Sequence, residues 1–88
     1  MYIYKYSDKF KKIIKKLSKK NKPLYEQVLK KIYEIVNSYN VEAYKNLRHN
    51  LKDYKRVHVG HFVIVFEVDK NKNFISFENF DHHDNIYK

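Results

Sequence analysis

The chain has 88 residues, and its 19 lysine and arginine residues against 10 aspartate and glutamate residues give it a formal charge of +9. It has no cysteine, which excludes disulfides and thiolate metal sites, and no apolar run approaches the ~18 residues of a membrane span. These properties predict a single domain over residues 1–88 that lies in the cytoplasm and attracts polyanions, nucleic acid first and acidic protein second.

The first forty residues predict a short strand followed by two helices. The alternation in MYIYKY indicates the strand, and Ser7 is a typical helix N-cap. Apolar residues then recur at helical spacing as far as Leu17, and Pro23 suits the first turn of a second amphipathic helix. We expect that helix to reach Tyr39, with Asn40 as a left-handed terminator. The two helices should form an antiparallel hairpin.

The second half of the chain predicts strands after an irregular segment, VEAYKNLRHNLKDY. Three runs rich in Val, Ile and Phe follow, and they are YKRVHV, HFVIVFEV and NFISFENF. They are joined by Gly60-His61 and by DKNKN, which is typical of an antiparallel meander. The predicted fold is therefore α+β, with an N-terminal strand, a helical hairpin and a three-stranded meander. The helices should cover one face of a four-stranded sheet.

Period-two counting on the first meander strand assigns side chains to the two faces of that sheet. Val57 and Val59 share one face and belong to the core, so Arg56 and His58 should point to the uncovered face. The rise per residue puts these two side chains about 6–7 Å apart. The alternative for Arg56 is a surface ion pair, with Asp53 or Glu67 as its partner.

The C-terminal segment DHHDNIYK allows three interpretations, which are a metal site, an acid–base centre and a solvated tail. Adjacent side chains of an extended strand diverge, so His82 and His83 should not bind one ion together. No HExxH pattern is present either, so we predict no metal and no other cofactor. The same divergence predicts that only one of the two histidines faces a substrate.

The run LRHNLKDYKRVHVGHFVIVFEV, the order of the elements and the ending DHHDNIYK together resemble the RelE/ParE superfamily of toxins from type II toxin–antitoxin systems. The resemblance covers nearly the whole chain and implies a RelE-like fold. It also implies an mRNA interferase that acts on the ribosome, where the 2′-hydroxyl attacks the adjacent phosphate without a metal. The implied partners are the ribosome, mRNA and a cognate RelB-like antitoxin, which the positive charge predicts to be acidic. No membrane and no small-molecule cofactor is implied.

The resemblance also assigns site residues. The pair Arg56 and His58 matches the basic positions of the first meander strand, Tyr87 matches the C-terminal tyrosine, and His82 or His83 matches the His/Arg pair before it. These five residues are the predicted catalytic set. The residues predicted to contact RNA are Lys52, Lys55, His61 and Lys88.

One position departs from the family pattern. The strand after the glycine turn usually carries Tyr-Arg, but here the pair is Phe62-Val63. The missing arginine keeps two alternatives open, which are a ParE-like inhibitor of DNA gyrase and a catalytically weak RNA-binding homologue. If the chain is a nuclease, His61, His82 or a lysine would supply the absent charge.

Overall fold

A mixed four-stranded sheet and two long helices form the protein in a computed structural model, which describes residues 1–46 and 54–87. The elements in chain order are β1 (Ile3–Tyr6), α1 (Asp8–Lys20), α2 (Lys22–Val36), a 3₁₀ turn (Val41–Ala43), β2 (Tyr54–Val59), β3 (Phe62–Asp69), β4 (Phe74–His82) and α3 (His83–Ile86). The predicted residues Lys52, Asp53 and Lys88 lie outside the described residues. Within the described part of the chain, no helix is both long enough and apolar enough to cross a membrane.

The sheet has the strand order β1–β4–β3–β2. The last three strands form the predicted antiparallel meander, whereas β1 runs parallel to β4. The helical hairpin makes the parallel pairing possible, because parallel strands need a long connection between them. The α+β prediction is confirmed.

The core lies between the helical hairpin and one face of the sheet. Phe10 of α1 and Ile35 of α2 are fully buried, as are Phe66, Ile75 and Phe77 of the sheet. Burying each such side chain contributes about 1.5–3 kcal/mol. The helices therefore occupy one face of the sheet and leave the other for different contacts.

Asn21 alone separates the two long helices. Its backbone N–H donates to the Leu17 carbonyl at 2.9 Å, which ends α1, and its Oδ1 accepts from the Leu24 N–H at 3.2 Å, which begins α2. Pro23 lies in the first turn of α2, as predicted. A single residue thus reverses the chain between the helices.

The predicted C-terminus of α2 is wrong by three residues. The helix ends at Val36, and the Asn37 side chain donates to the Tyr33 carbonyl at 2.9 Å. Asn40 has φ −138°, so it is not the left-handed terminator that we expected. The Tyr39 side chain is exposed, so its helical spacing in the sequence does not reflect burial.

A β-bulge in β4 interrupts the period-two pattern. Phe66 pairs with Phe77 and Val65 pairs with Asn79, so Glu78 is an extra residue with no partner in β3. Phe80 consequently returns to the core face, three residues after Phe77. The bulge lies just before the segment that carries the C-terminal histidines.

We expect replacement of Ser7 with alanine to destabilise the protein by about 1 kcal/mol, the usual effect of losing an N-cap. The Ser7 Oγ accepts from the Phe10 N–H at 3.1 Å and donates to the Glu78 carbonyl at 3.1 Å, so it joins α1 to the bulge. Urea unfolding measures the change. Ser18→Ala is the control, because the Ser18 hydroxyl bonds only within its own exposed helix turn. Equal destabilisation by the two changes would contradict the capping role.

Candidate functional site on the open face of the sheet

The predicted faces of β2 are confirmed. Val59 is buried in the core and Val57 packs against it, whereas Arg56 and His58 project from the face opposite the helices. The Gly60-His61 turn that follows is also present, and Gly60 has φ +61°, which a residue without a side chain adopts readily. We call the face that carries Arg56 and His58 the open face.

The chain folds over the open face where β4 ends. His82 is the N-cap of α3, and its Nδ1 accepts from the Asp84 N–H at 3.2 Å. The His83 N–H donates to the His61 carbonyl at 2.9 Å, which ties the start of α3 to the β2–β3 turn. Because α3 contacts both β3 and β4, the residues after His82 return toward the sheet.

The return of the chain brings four polar side chains from two distant segments together. They are Arg56, His58, His83 and Tyr87, and we call them the open-face cluster. The His58 ring centroid lies 6.4 Å from that of His83 and 6.2 Å from that of Tyr87. The His83 and Tyr87 rings are 5.9 Å apart and nearly perpendicular. The cluster thus joins a cation, two imidazoles and a phenol on a partly exposed surface.

Arg56 is held from two sides. Its Nε donates to the Asn46 carbonyl at 3.3 Å, and its Cζ lies 5.2 Å from the centroid of the Tyr87 ring, within cation–π range. Within residues 1–46 and 54–87 it forms no ion pair, so the expected alternative of pairing with Glu67 is not observed, while Asp53 is not described. The guanidinium is therefore oriented by a carbonyl and a ring, which leaves its charge uncompensated by these contacts.

The two C-terminal histidines have different environments. His83 belongs to the open-face cluster, whereas the His82 ring stacks on His61 at 6.3 Å and meets the edge of Phe62 at 5.6 Å. His82 also uses its Nδ1 to cap α3. Sequence reasoning predicted that one histidine would face the site without telling which, and the geometry favours His83.

Asp81 stabilises the turn into α3. Its Oδ1 accepts from the Asn85 side-chain amide at 3.0 Å and from the His82 N–H at 2.7 Å. The pKa of Asp81 is lowered, mainly by the hydrogen bond from Asn85. Partial desolvation acts in the opposite direction, toward a higher pKa. The hydrogen bond from the His82 N–H and the positive charge of Lys9 lower the pKa further. A carboxylate that stays ionised can hold both donors over a wide pH range.

Val63 occupies a central place on the open face. It is opposite His58 on β2 and opposite Asp81 on β4, and it is fully buried. A longer side chain at this position would rise directly into the cluster. The arginine that the family pattern carries here is thus replaced by an apolar contact beneath the cluster.

The prediction that Lys55 contacts RNA is wrong. Its side chain is 5 % exposed, and its ammonium donates to the Tyr44 carbonyl at 3.1 Å and to the Asn46 Oδ1 at 3.0 Å. Lys55 lies two and four residues before Val57 and Val59 on β2, so the period-two pattern already placed it with them on the core face. Its function here is to fasten the segment before β2 to the sheet. His61, in contrast, is exposed at the turn.

The expectation that the side chains of His82 and His83 point in opposite directions rested on a wrong assumption. It assumed an extended chain, but the strand ends at His82 and a helical turn begins at His83. Their ring centroids lie 5.6 Å apart, and one ligand atom from each of His82, His83 and Asp84 lies within 4.8 Å of the others.

Comparison with known proteins agrees with this fold. Two solved toxin–antitoxin complexes contain chains of the same architecture, with 20% or lower identity to this one. The YoeB–YefM complex from Staphylococcus aureus matches at TM-score 0.74 and 20% identity over 94% of this chain and 98% of that one. The intact E. coli RelBE complex matches at TM-score 0.75 and 19% identity over 93% and 96% of the two chains. The chain therefore has the RelE-like toxin fold.

The family follows from the sequence matches. The family described as "ParE toxin of type II toxin-antitoxin system, parDE" matches residues 4–87, and this chain belongs to it as a toxin of the RelE/ParE superfamily. It is 54% identical over 78 residues to "Putative toxin RelE4" of Methanocaldococcus jannaschii, which covers 88% of this chain and 81% of that protein. A Methanosarcina mazei protein of undescribed function is 41% identical over 88 residues, 99% of this chain and 100% of that protein.

Proposed function

We propose that this toxin is a metal-independent endoribonuclease that cuts mRNA on the ribosome. The observation that carries the proposal is the open-face cluster, in which neighbouring rings lie 5.9, 6.2 and 6.4 Å apart beside a guanidinium. RNA cleavage by internal transesterification needs a base, an acid and a positive charge at the phosphate. Two imidazoles and an arginine supply these three groups.

The reaction assigns a role to each member of the cluster. One of His58 and His83 takes the proton of the 2′-hydroxyl as its oxygen attacks the adjacent phosphorus. The Arg56 guanidinium stabilises the charge of the pentavalent phosphorane. The bond to the 5′-oxygen then breaks, and the second imidazole protonates that oxygen, which leaves a 2′,3′-cyclic phosphate and a 5′-hydroxyl. The Tyr87 ring stacks on a base or orients the nucleotide.

The partners of the proposed function are the ribosome with its mRNA and a cognate antitoxin of the RelB kind. The similar solved structures are YoeB–YefM and RelBE complexes, which supports an antitoxin for this chain as well. The net charge of +9 favours an acidic antitoxin segment and attraction to ribosomal RNA. Action on ribosomes would place the toxin in the cytoplasm.

A second candidate function is inhibition of DNA gyrase, as in ParE-like toxins. Two observations favour it, which are the ParE description of the matched family and the burial of Val63 where an arginine is usual. This function would use the same fold without proton transfer, so the paired imidazoles of the cluster would have no role in it. A catalytically weak toxin that only binds RNA is the remaining alternative.

The experiment that separates these functions uses purified toxin and ribosomes programmed with a defined mRNA. Primer extension should detect new 5′ ends within the codon in the A site, and free mRNA under the same conditions should remain intact. A parallel assay measures gyrase–DNA cleavage complexes. Intact mRNA together with trapped gyrase–DNA breaks would overturn the nuclease proposal.

A further inference from the structure

The junction between β4 and α3 brings together three side chains of types that commonly bind metal ions. The Nδ1 of His83 lies 2.8 Å from one carboxylate oxygen of Asp84, and the Nδ1 of His82 lies 3.6 Å from the other. One ligand atom from each of the three residues lies within 4.8 Å of the other two. A single ion at typical bond lengths of about 2.0–2.2 Å could therefore contact all three side chains after small rotations.

The backbone at this junction is held in place by contacts outside the three side chains. The His83 N–H donates to the His61 carbonyl, and the His82 N–H donates to the Asp81 carboxylate. The change from strand to helix at His82 is what turns two adjacent imidazoles toward a common point. Binding an ion would thus need side-chain adjustment, with little reorganisation of the backbone.

We propose that His82, His83 and Asp84 form a binding site for a divalent transition metal of the zinc class. Two imidazoles and one carboxylate suit Zn²⁺, which accepts three protein ligands and a water molecule, whereas Mg²⁺ and Ca²⁺ prefer oxygen ligands throughout. The side chains of the three residues are 42%, 51% and 73% exposed, so an ion can enter directly from solvent. The His82 Nδ1 now accepts a hydrogen bond from the Asp84 N–H. An ion bound to this nitrogen would displace that hydrogen bond.

The site shares His83 with the open-face cluster, and this overlap gives the metal an effect on activity. A bound ion would hold the His83 imidazole as a ligand and so remove it from proton transfer beside His58. Zinc should therefore inhibit the toxin without acting as its cofactor. This consequence rests on the proposed nuclease function, whereas the binding itself does not.

Calorimetric titration of the untagged, full-length toxin with ZnCl₂ tests the site. We expect one ion per chain, and Co²⁺ should give the absorption bands of a low-symmetry site. His82→Asn keeps a capping oxygen for the Asp84 N–H and should weaken zinc binding by at least about tenfold, the effect that even outer-shell changes have on metal sites. Asp84→Asn should weaken it similarly, and circular dichroism checks that both variants fold.

His61→Gln is the matched control, because its ring stacks on His82 but lies outside the group of three. It should bind zinc as the wild type does. No binding by the wild type, or equal binding by the wild type and Asp84→Asn, would overturn the site.

A cleavage assay with added zinc tests the consequence separately. Zinc should inhibit the wild type and should leave His82→Asn far less affected. If the toxin does not cleave mRNA at all, the titration still decides whether the site exists, so failure of the proposed function and failure of the metal site remain distinguishable. Cleavage that zinc does not inhibit, in a protein that binds zinc through these residues, would overturn the inhibitory role.

Discussion

His83→Ala should reduce the single-turnover rate of mRNA cleavage on programmed ribosomes on the order of 10²–10⁴-fold, the usual contribution of a positioned acid or base. His83 is the C-terminal histidine whose ring lies beside His58 and Tyr87, at 6.4 and 5.9 Å. Its loss would remove one of the two proton-transfer steps. The rate at saturating toxin should fall, because the change affects the chemical step.

The control for this prediction is the neighbouring histidine. His82→Asn retains an acceptor for the Asp84 N–H and changes a ring that stacks on His61 rather than on His58 or Tyr87. Its cleavage rate in the absence of zinc should stay close to that of the wild type. The assignment of His83 fails if His82→Asn is the more damaging change, or if His83→Ala cleaves at the wild-type rate.

Arg56→Ala should lower the same rate on the order of 10²–10³-fold, as removal of a preorganised charge-stabilising donor does in other enzymes. Arg56→Lys keeps the charge but should restore only part of the activity. A lysine cannot donate two parallel hydrogen bonds to a phosphate, and it would lose the geometry set by the Asn46 carbonyl and the Tyr87 ring.

Lys72→Ala provides a matched loss of one positive charge on an exposed turn of the sheet. It should change the cleavage rate little beyond a weaker, salt-dependent association with the ribosome. If Arg56→Ala and Lys72→Ala have the same effect, Arg56 contributes only general charge. Full activity of Arg56→Lys would show that a point charge is sufficient.

The faces of β2 could be predicted because an alternating strand beside a hydrophobic core has one register that buries its valines. That rule gave the positions of Arg56 and His58 relative to the core. Applied to Lys55, the same rule would have put its side chain with Val57 and Val59. The prediction that Lys55 contacts RNA did not apply this rule, and the local pattern was the better guide.

The arrangement of the C-terminal residues could not be predicted from local pattern alone. The convergence of His83 and Tyr87 on β2 depends on a strand-to-helix change that the Asp81, His82 and Asn85 contacts stabilise. These are side-chain hydrogen bonds between near neighbours, and they have no hydrophobic period. The bulge at Glu78 was hidden for a similar reason, since the extra residue is visible only once β3 and β4 are paired.

The parallel pairing of β1 with β4 affects how the toxin forms during translation. Among the strands of residues 1–46 and 54–87, β1 has β4 as its one neighbour, and the Ser7 N–H donates to the Phe77 carbonyl at 2.9 Å. β1 is synthesised first and therefore cannot pair within the sheet until β4 has been synthesised. The residues His83 and Tyr87 follow β4, so a nascent chain that lacks β4 and these residues has neither the complete four-stranded sheet nor the complete open-face cluster. If the toxin cuts mRNA on the ribosome as proposed, the cluster would not be complete until synthesis has passed residue 87.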